Sequence, residues 1–418
     1  MDKLISALIA SYNARRQQEP AVPEPEEFQP FDLQALINSA ESPIPAVNNL
    51  RTALVLQGGG ALGAYEYGVI KALYERRPGF RPSVITGLSI GAVNGAILAG
   101  AADPIQTLGK VWREDFAVLL PQPLSPLTNR GMYRLRPEYL LNPLLASYVT
   151  TSFCDTSPLR TTLERVVDID RLNTGPHVVV TAVDVASGEL VRFGNRMSLQ
   201  NKTGHFANAD GLTLDHILAS SSLPPGFPMT QIDGRCYWDG GLRSNMPLSE
   251  AINCLEAFEP NNSALKREVI VIELVPKAGQ VPETIQQVTE RISSLIFSSE
   301  LALDQALFRN VNGYIDLFGA VKTLLEAIEQ NKDVRRRIDA ALAKAGRELR
   351  VEQIRELPAF KELGRHRKID AFTIVPFRTP PEFTRATDFS KASIEERIEA
   401  GYQEAVKQQI WDPKWVQP

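Results

Sequence analysis

Two short apolar runs, Thr52-Ala53-Leu54-Val55-Leu56 and Val84-Ile85-Thr86, each lead into a glycine-bearing turn, and each turn opens a helix-like stretch. The first turn is Gly58-Gly59-Gly60-Ala61-Leu62-Gly63, and the second is Gly87-Leu88-Ser89-Ile90-Gly91. Strand, helix, strand, helix at this spacing predicts a parallel sheet covered by helices. A right-handed crossover then sets the two turns side by side, at the carboxyl ends of neighbouring strands. Further along, residues 177–183 and 189–193 read as neighbouring strands, and 214–221 as a helix ended by Leu223-Pro224-Pro225. Residues 237–241 read as a turn, 269–275 and 369–375 as strands, 283–350 as mostly helical, and 390–408 as an amphipathic helix. The fold class expected is α/β, with a mostly parallel central sheet flanked by helices in three layers and a helical C-terminal extension.

The chain has 418 residues, 44% of them apolar and 22% charged, which is ordinary globular composition with room for one large domain or two moderate ones. A net charge of −4 excludes a nucleic-acid footprint over the whole chain and argues against strong attraction to anionic membranes. Cys154, Cys236 and Cys254 are odd in number and lack metal or redox spacing, and so are expected as reduced thiols of a cytoplasmic protein. His177, His205, His216 and His366 form no His-x-x-x-His pair, and neither a metal nor a cofactor is expected. The longest uncharged run, Pro82 to Ala102, contains four glycines and the Ser89 turn, and reads as strand, turn and helix rather than as a membrane span. Residues 1–14 read as an amphipathic helix, with Leu4, Ile5, Leu8, Ile9 and Tyr12 on one face, in preference to a signal peptide. Residues 17–50, rich in Pro and Glu, read as a surface linker.

A serine hydroxyl is a poor nucleophile until a base takes its proton and a fixed geometry presents it. A sharp strand-to-helix turn with small flanking residues presents Ser89 at a helix N-terminus. The turn at residues 58–63 can converge its backbone N–H groups on an anion. That fits either a dinucleotide pyrophosphate or the oxyanion of an acyl-transfer intermediate. A dinucleotide fold asks for an acidic residue near the end of the next strand, where this chain has Thr86-Gly87-Leu88-Ser89, so the oxyanion reading is preferred. No histidine stands in a turn that faces Ser89. Asp239, in Trp238-Asp239-Gly240-Gly241, is carried on a sterically bare turn and can accept a serine proton directly if it is partly desolvated.

Taken together, the run Gly58–Gly63, the pentapeptide Gly87–Gly91 and Asp239-Gly240-Gly241 resemble the three-part signature of patatin-like phospholipases. Ala219-Ser220-Ser221-Ser222-Leu223-Pro224 resembles a further segment of that family, and the similarity spans about residues 52–250. One departure is Leu62, where many members carry Arg or Lys just before the last glycine. The resemblance implies a serine acyl hydrolase that cleaves carboxylic esters of lipids through a Ser-Asp dyad. Ser89 is then the nucleophile, Asp239 the base, and the N–H groups of Gly58, Gly59 and Gly60 the oxyanion hole. Gly63, Gly87, Gly91, Gly240 and Gly241 complete the motifs. The implied partner is an acyl lipid or ester substrate, with transient contact to a membrane surface. Two alternatives stay open: an acyltransferase on the same scaffold, and a lipid-binding protein without turnover. The expected division is an N-terminal helix and linker over 1–50, a catalytic domain over 51–252, and a region over 253–418 that completes the sheet and adds helices. Residues 116–150, with many leucines and prolines, read equally as a loop-rich cap over the site or as an irregular core wall. In the cap reading Leu119, Leu120, Leu140 and Leu144 line an acyl channel, with Tyr133, Tyr139 and Tyr148 at its polar edge.

Overall fold

A computed structural model describes residues 49–118, 131–196, 211–244, 246–258, 262, 264–275, 279, 281–298, 301–344, 350–380 and 383–415. The expected helix over 1–14, nearly all of the linker, His205, Leu119 and Leu120 lie outside these residues.

The two units read from the sequence form as expected. Strand β1 (Leu50–Leu56) leads through the glycine turn into helix α1 (Gly63–Arg76). Strand β2 (Val84–Gly87) leads through Ser89 into helix α2 (Ile90–Gly100). They are followed by β3 (His177–Asp184), β4 (Leu190–Gly194), α3 (Leu214–Ser220), β5 (Thr230–Ile232) and β6 (Arg235–Asp239). Helix α4 (Leu248–Ala257), β7 (Lys266–Ile272), α5 (Ile285–Phe297), α6 (Leu301–Glu329), α7 (Lys332–Lys344), β8 (Ala371–Val375) and α8 (Lys391–Gln408) complete the main elements.

These strands form one eight-stranded sheet in the order β8-β7-β1-β2-β3-β6-β5, with β4 also paired to β3. The five strands from β8 to β3 are mutually parallel, and β4, β5 and β6 are antiparallel additions. The parallel strands read as continuous apolar runs because both faces are covered. In β1, Leu54 and Leu56 point into the larger core with α1 and α2, while Ala53 and Val55 point into the smaller core with α4. Alternation along the strand therefore makes three layers. Helix α8 lies along α1, burying Ile394 and Ile398 in the larger core.

The register of β3 explains the site. Residues 179–183 of β3 pair with β4, so one edge of the strand is taken. On the other edge, Gly87 of β2 pairs with Val180, and Asp239 of β6 pairs with Ala182. Strand β6 thus runs antiparallel toward the end of β2 along the same edge. The carboxyl end of β6 arrives where β2 has just turned away at Ser89. The expected turn over 237–241 is in fact the last residues of this strand followed by a 3-10 turn, Gly240–Leu242. Tyr237 and Trp238 are strand residues because β3 outlasts β2 and offers them an unpaired edge.

Candidate active site

Ser89 occupies a left-handed conformation, with φ 53° and ψ −123°. For a non-glycine residue such a backbone costs about 1–3 kcal/mol, and it persists only where the surroundings enforce it. Here the end of helix α3 does so. The Ser89 N–H donates to the Ser220 carbonyl at 3.1 Å and to Ser220 Oγ at 3.2 Å. Ser221 Oγ donates to the Ser89 carbonyl at 3.2 Å. One residue further, the Ser222 carbonyl accepts the Asp239 N–H at 3.0 Å. The three consecutive serines, 220–222, therefore hold the backbones of Ser89 and Asp239 from one template. Gly87 and Gly91 are both buried at the elbow. At Gly91 the elbow passes so close to β1 that a Cβ would stand 2.4 Å from the Leu56 carbonyl oxygen.

Asp239 is 2% exposed. One carboxylate oxygen, Oδ1, accepts the Gly241 N–H at 2.9 Å. The other, Oδ2, is buried without a well-formed hydrogen bond to a described residue. Burial raises the Asp239 pKa to about 7, against the opposing pull of the Ser89 hydroxyl and the Gly241 N–H. The serine is thus near enough to favour the carboxylate, although the contact is looser than a strict hydrogen bond. Contacts of this kind tighten when substrate closes the site. A carboxyl with a pKa near neutrality is matched to proton transfer at neutral pH, which an ordinary surface aspartate is not. Gly240 and Gly241 are buried behind it.

The glycine turn lies at the end of β1, next to the end of β2. Gly58 is buried, whereas Gly59 and Gly60 are half-buried. Gly60 has φ +55°, and a Cβ on it would meet the Ala386 carbonyl oxygen at 2.5 Å, so only glycine fits there. The N–H groups of Gly59 and Gly60 donate to no described residue, and neither does that of Ile90, the residue after Ser89. Gly63 opens α1 against Ile90, which would stand 2.4 Å from a Cβ at that position. The notable feature here is what covers the turn. A strap over residues 383–390 crosses it, and the Ala61 N–H donates to Ala386 O at 2.7 Å. Arg397 in α8 holds the strap. It is 0% exposed, and it donates to the carbonyls of Phe383 at 2.8 Å, Arg385 at 2.8 Å, Asp388 at 2.6 Å and Ala61 at 3.4 Å. Burial lowers its pKa to about 10 against the attraction of Asp388. Arg397→Met would remove the four hydrogen bonds that tie the strap to α8 and to the glycine turn, and should lower stability by about 2–4 kcal/mol. A thermal melt checks this, and an unchanged melting temperature contradicts the strap's dependence on Arg397.

No histidine is hydrogen-bonded to Ser89 among the described residues. His177 begins β3 three residues before Val180, the partner of Gly87, which puts it about 10 Å along the strand from the elbow. Its ring packs on Phe258, and burial, then Arg196, lowers its pKa to about 4. His216 Nδ1 accepts the Thr213 N–H at the start of α3, and His366 faces Glu256. The acyl-channel expectation for 116–150 is not met at Leu144, which is 75% exposed on a short surface helix. Tyr133 packs on Phe227 and Phe389, Tyr139 packs on Phe153, and Tyr148 is exposed.

Part of the chain matches known proteins. Residues 54–252 match the family model described as patatin-like phospholipase. The chain is 41% identical over 96 residues to "Lysophospholipase nte1" of Aspergillus terreus, covering 19% of this chain and 6% of that protein. It is 33% identical over 119 residues to "Lysophospholipase NTE1" of Mycosarcoma maydis, covering 25% of this chain and 6% of that one. The chain therefore spans only 6% of the length of these curated relatives. Among solved structures, VipD from Legionella pneumophila aligns with a TM-score of 0.40 at 15% identity, over 88% of this chain and 68% of that one, a likeness too distant to add to the fold described above. Ser89, Asp239 and the glycine turn all fall inside the matched stretch, and residues 54–252 of this chain are a patatin-like phospholipase domain.

Proposed function

We propose that the chain is a serine hydrolase of carboxylic esters in acyl lipids, working through Ser89 and Asp239. The observation that carries this reading is a serine in an enforced left-handed turn beside a buried aspartate whose pKa is raised to about 7. Asp239 takes the proton of the Ser89 hydroxyl as its oxygen attacks the acyl carbonyl. The negative charge that develops on the carbonyl oxygen is met by N–H groups of the turn Gly58–Gly60, and the N–H of Ile90 is placed to join them. Each such donor is worth about 3 kcal/mol in the transition state. Asp239 then returns the proton to the departing alcohol, leaving an acyl-serine. A water that gives its proton to Asp239 releases the fatty acid, and Ser89 recovers its proton from Asp239. The lysophospholipase names of the relatives point to single-chain phospholipids as the substrate class.

No helix among the described residues is long and apolar enough to cross a membrane. Contact with lipid is instead proposed at the surface. Supporting it, Ile285, Ile292, Leu295 and Ile296 are exposed on α5, whose last residue, Phe297, accepts Gln57 Nε2 beside the glycine turn. The functional reading is tested by fatty-acid release from lysophosphatidylcholine and from p-nitrophenyl esters, each with and without an added acceptor alcohol. Release into water supports hydrolysis. Acyl product appearing only with the acceptor would move the assignment to a transferase, and no product from any ester would remove it. Co-sedimentation of the Ser89→Ala protein with phosphatidylcholine vesicles tests the surface contact separately, and protein left wholly in the supernatant contradicts it.

A further inference from the structure

Three buried polar groups behind the site, Glu66, Asn94 and Trp112, are hydrogen-bonded to one another, and a fourth, Gln57, lies at the start of the glycine turn. Gln57 immediately precedes the glycine turn and is fully buried. Its side-chain oxygen accepts the N–H of Leu274 at 2.6 Å and of Val275 at 3.0 Å, just past the end of β7. Its backbone N–H favours the ionised form of Glu66, in the first turn of α1, although Glu66 Oε1 accepts no well-formed hydrogen bond from a described residue. Glu66 is also fully buried, and its Oε2 accepts Asn94 Nδ2 at 2.8 Å. The same Asn94 nitrogen donates to the Gly63 carbonyl at 3.0 Å, and Asn94 Oδ1 accepts Trp112 Nε1 at 3.0 Å. Asn94 lies on α2, the helix that begins at the Ser89 elbow.

The far end of the glycine turn, Gly63 and Glu66, is therefore hydrogen-bonded to the helix that carries the nucleophile, and its near end, Gln57, to the chain just past β7. Apolar packing alone would let α1 and α2 slide by fractions of an ångström, because dispersion has no direction. Hydrogen bonds from one asparagine to a carboxyl, a carbonyl and an indole do not permit that. Oxyanion donors work within a narrow range, about 2.7–3.1 Å from the reacting oxygen, and a misplacement of about 1 Å can cost about 100-fold. We propose that Glu66 and Asn94 are positioning residues: through the Glu66–Asn94–Trp112 chain and the Asn94–Gly63 bond they set the separation between the Ser89 hydroxyl and the N–H donors of the glycine turn. The proposal rests on the hydrolase reading above.

Two observations favour positioning over general packing. A carboxyl is a costly choice for a fully apolar surrounding, and a buried methionine or leucine would fill the volume without that cost. Burial drives the Glu66 pKa well above its ordinary value, more strongly than Asn94 and Gln57 lower it. Trp112 is itself fixed, with its ring edge-on to Phe116 and stacked on Phe389.

The test uses the full chain and a soluble p-nitrophenyl ester. Glu66→Gln keeps the shape and one acceptor oxygen, and kcat should stay within about threefold of wild type. Glu66→Met keeps the volume and removes every polar atom. Its folded form should lose at least tenfold in kcat with KM within about twofold, since the ground state makes little use of the oxyanion donors. Restoration of kcat by Gln but not by Met identifies the hydrogen bonds as the cause. A merely structural role lowers the melting temperature and leaves the kcat of the folded protein unchanged, and that result overturns the proposal. If Glu66→Met does not fold, Trp112→Phe removes only the donor to Asn94 and leaves an aromatic ring in place. Its kcat should then fall at least fivefold at constant KM, and a kcat within about threefold of wild type there overturns the proposal equally. The wild-type protein and Ser89→Ala are run beside these variants. A wild type as inactive as Ser89→Ala removes the hydrolase reading, and the positioning role with it, whereas an active wild type with an unaffected Glu66→Met removes the positioning role alone.

Discussion

Ser89→Ala is expected to reduce ester hydrolysis by about 10⁴- to 10⁶-fold, the range seen when the nucleophile of a serine hydrolase is removed. The backbone that presents the residue should survive the change. The Ser89 N–H is held by Ser220 and its carbonyl by Ser221, and neither bond uses the Ser89 side chain. The left-handed φ of 53° is as demanding for alanine as for serine, so the strain is not relieved. Melting temperature should therefore stay within a few degrees of wild type while activity disappears. An alanine variant that folds and still turns over ester removes Ser89 from the mechanism.

Asp239→Asn is expected to be almost as damaging, because an amide of the same shape cannot take the serine proton. The same site sets the pH dependence. Only the ionised carboxylate can act as base, and the pKa is raised to about 7. Wild-type kcat/KM should fall about tenfold per unit below pH 7 and level off above it. The stability effect has its own sign. The folded state holds the proton more tightly than the unfolded chain, whose carboxyl titrates near 3.8. Stability linked to Asp239 is fully present below about pH 4 and is lost as the pH rises to about 7, by about 4 kcal/mol in total. Asp239→Asn never ionises and escapes that loss. The dead variant should thus melt higher than wild type at pH 8 and close to it at pH 4. Equal melting temperatures at pH 8 would mean that the carboxylate is not desolvated in the folded protein.

The local part of this architecture was legible because its signals are local. The apolar run before Gly58, the run before Ser89 and the helices after them are each specified within about twenty consecutive residues, and the crossover rule then places the turns together. Asp239 was legible as a bare turn residue, but its strand was not. Arg235–Asp239 becomes β6 only because β3 extends past β2 and offers an edge, which is a property of strand lengths in the assembled sheet. The supports of the site were harder to see. Asn94 and Glu66 stand as polar positions inside otherwise apolar helices, and that departure from pattern was the available signal. Ser220–Ser222 were noticed only by resemblance, and their hydrogen bonds show why a run of small hydroxyl residues fits there. The strap at 383–390 had no signal at all. Arg397 reaches Ala61 across 336 residues of sequence, and no local pattern encodes such a contact. It also brings residues far beyond the patatin-like stretch onto the glycine turn.

The most direct test of the dyad is a fluorophosphonate adduct mapped by mass spectrometry on the intact chain. The probe reacts only with a serine whose proton can be removed and whose oxyanion can be held, so it reports on Ser89, Asp239 and the glycine turn together. One adduct is expected, on the peptide containing Ser89. It should be absent from Ser89→Ala, strongly slowed in Asp239→Asn, and unchanged when His177, His216 or His366 is replaced by Gln. An adduct on another serine, or labelling of Ser89 that is lost with one of those histidines and kept in Asp239→Asn, would contradict the account.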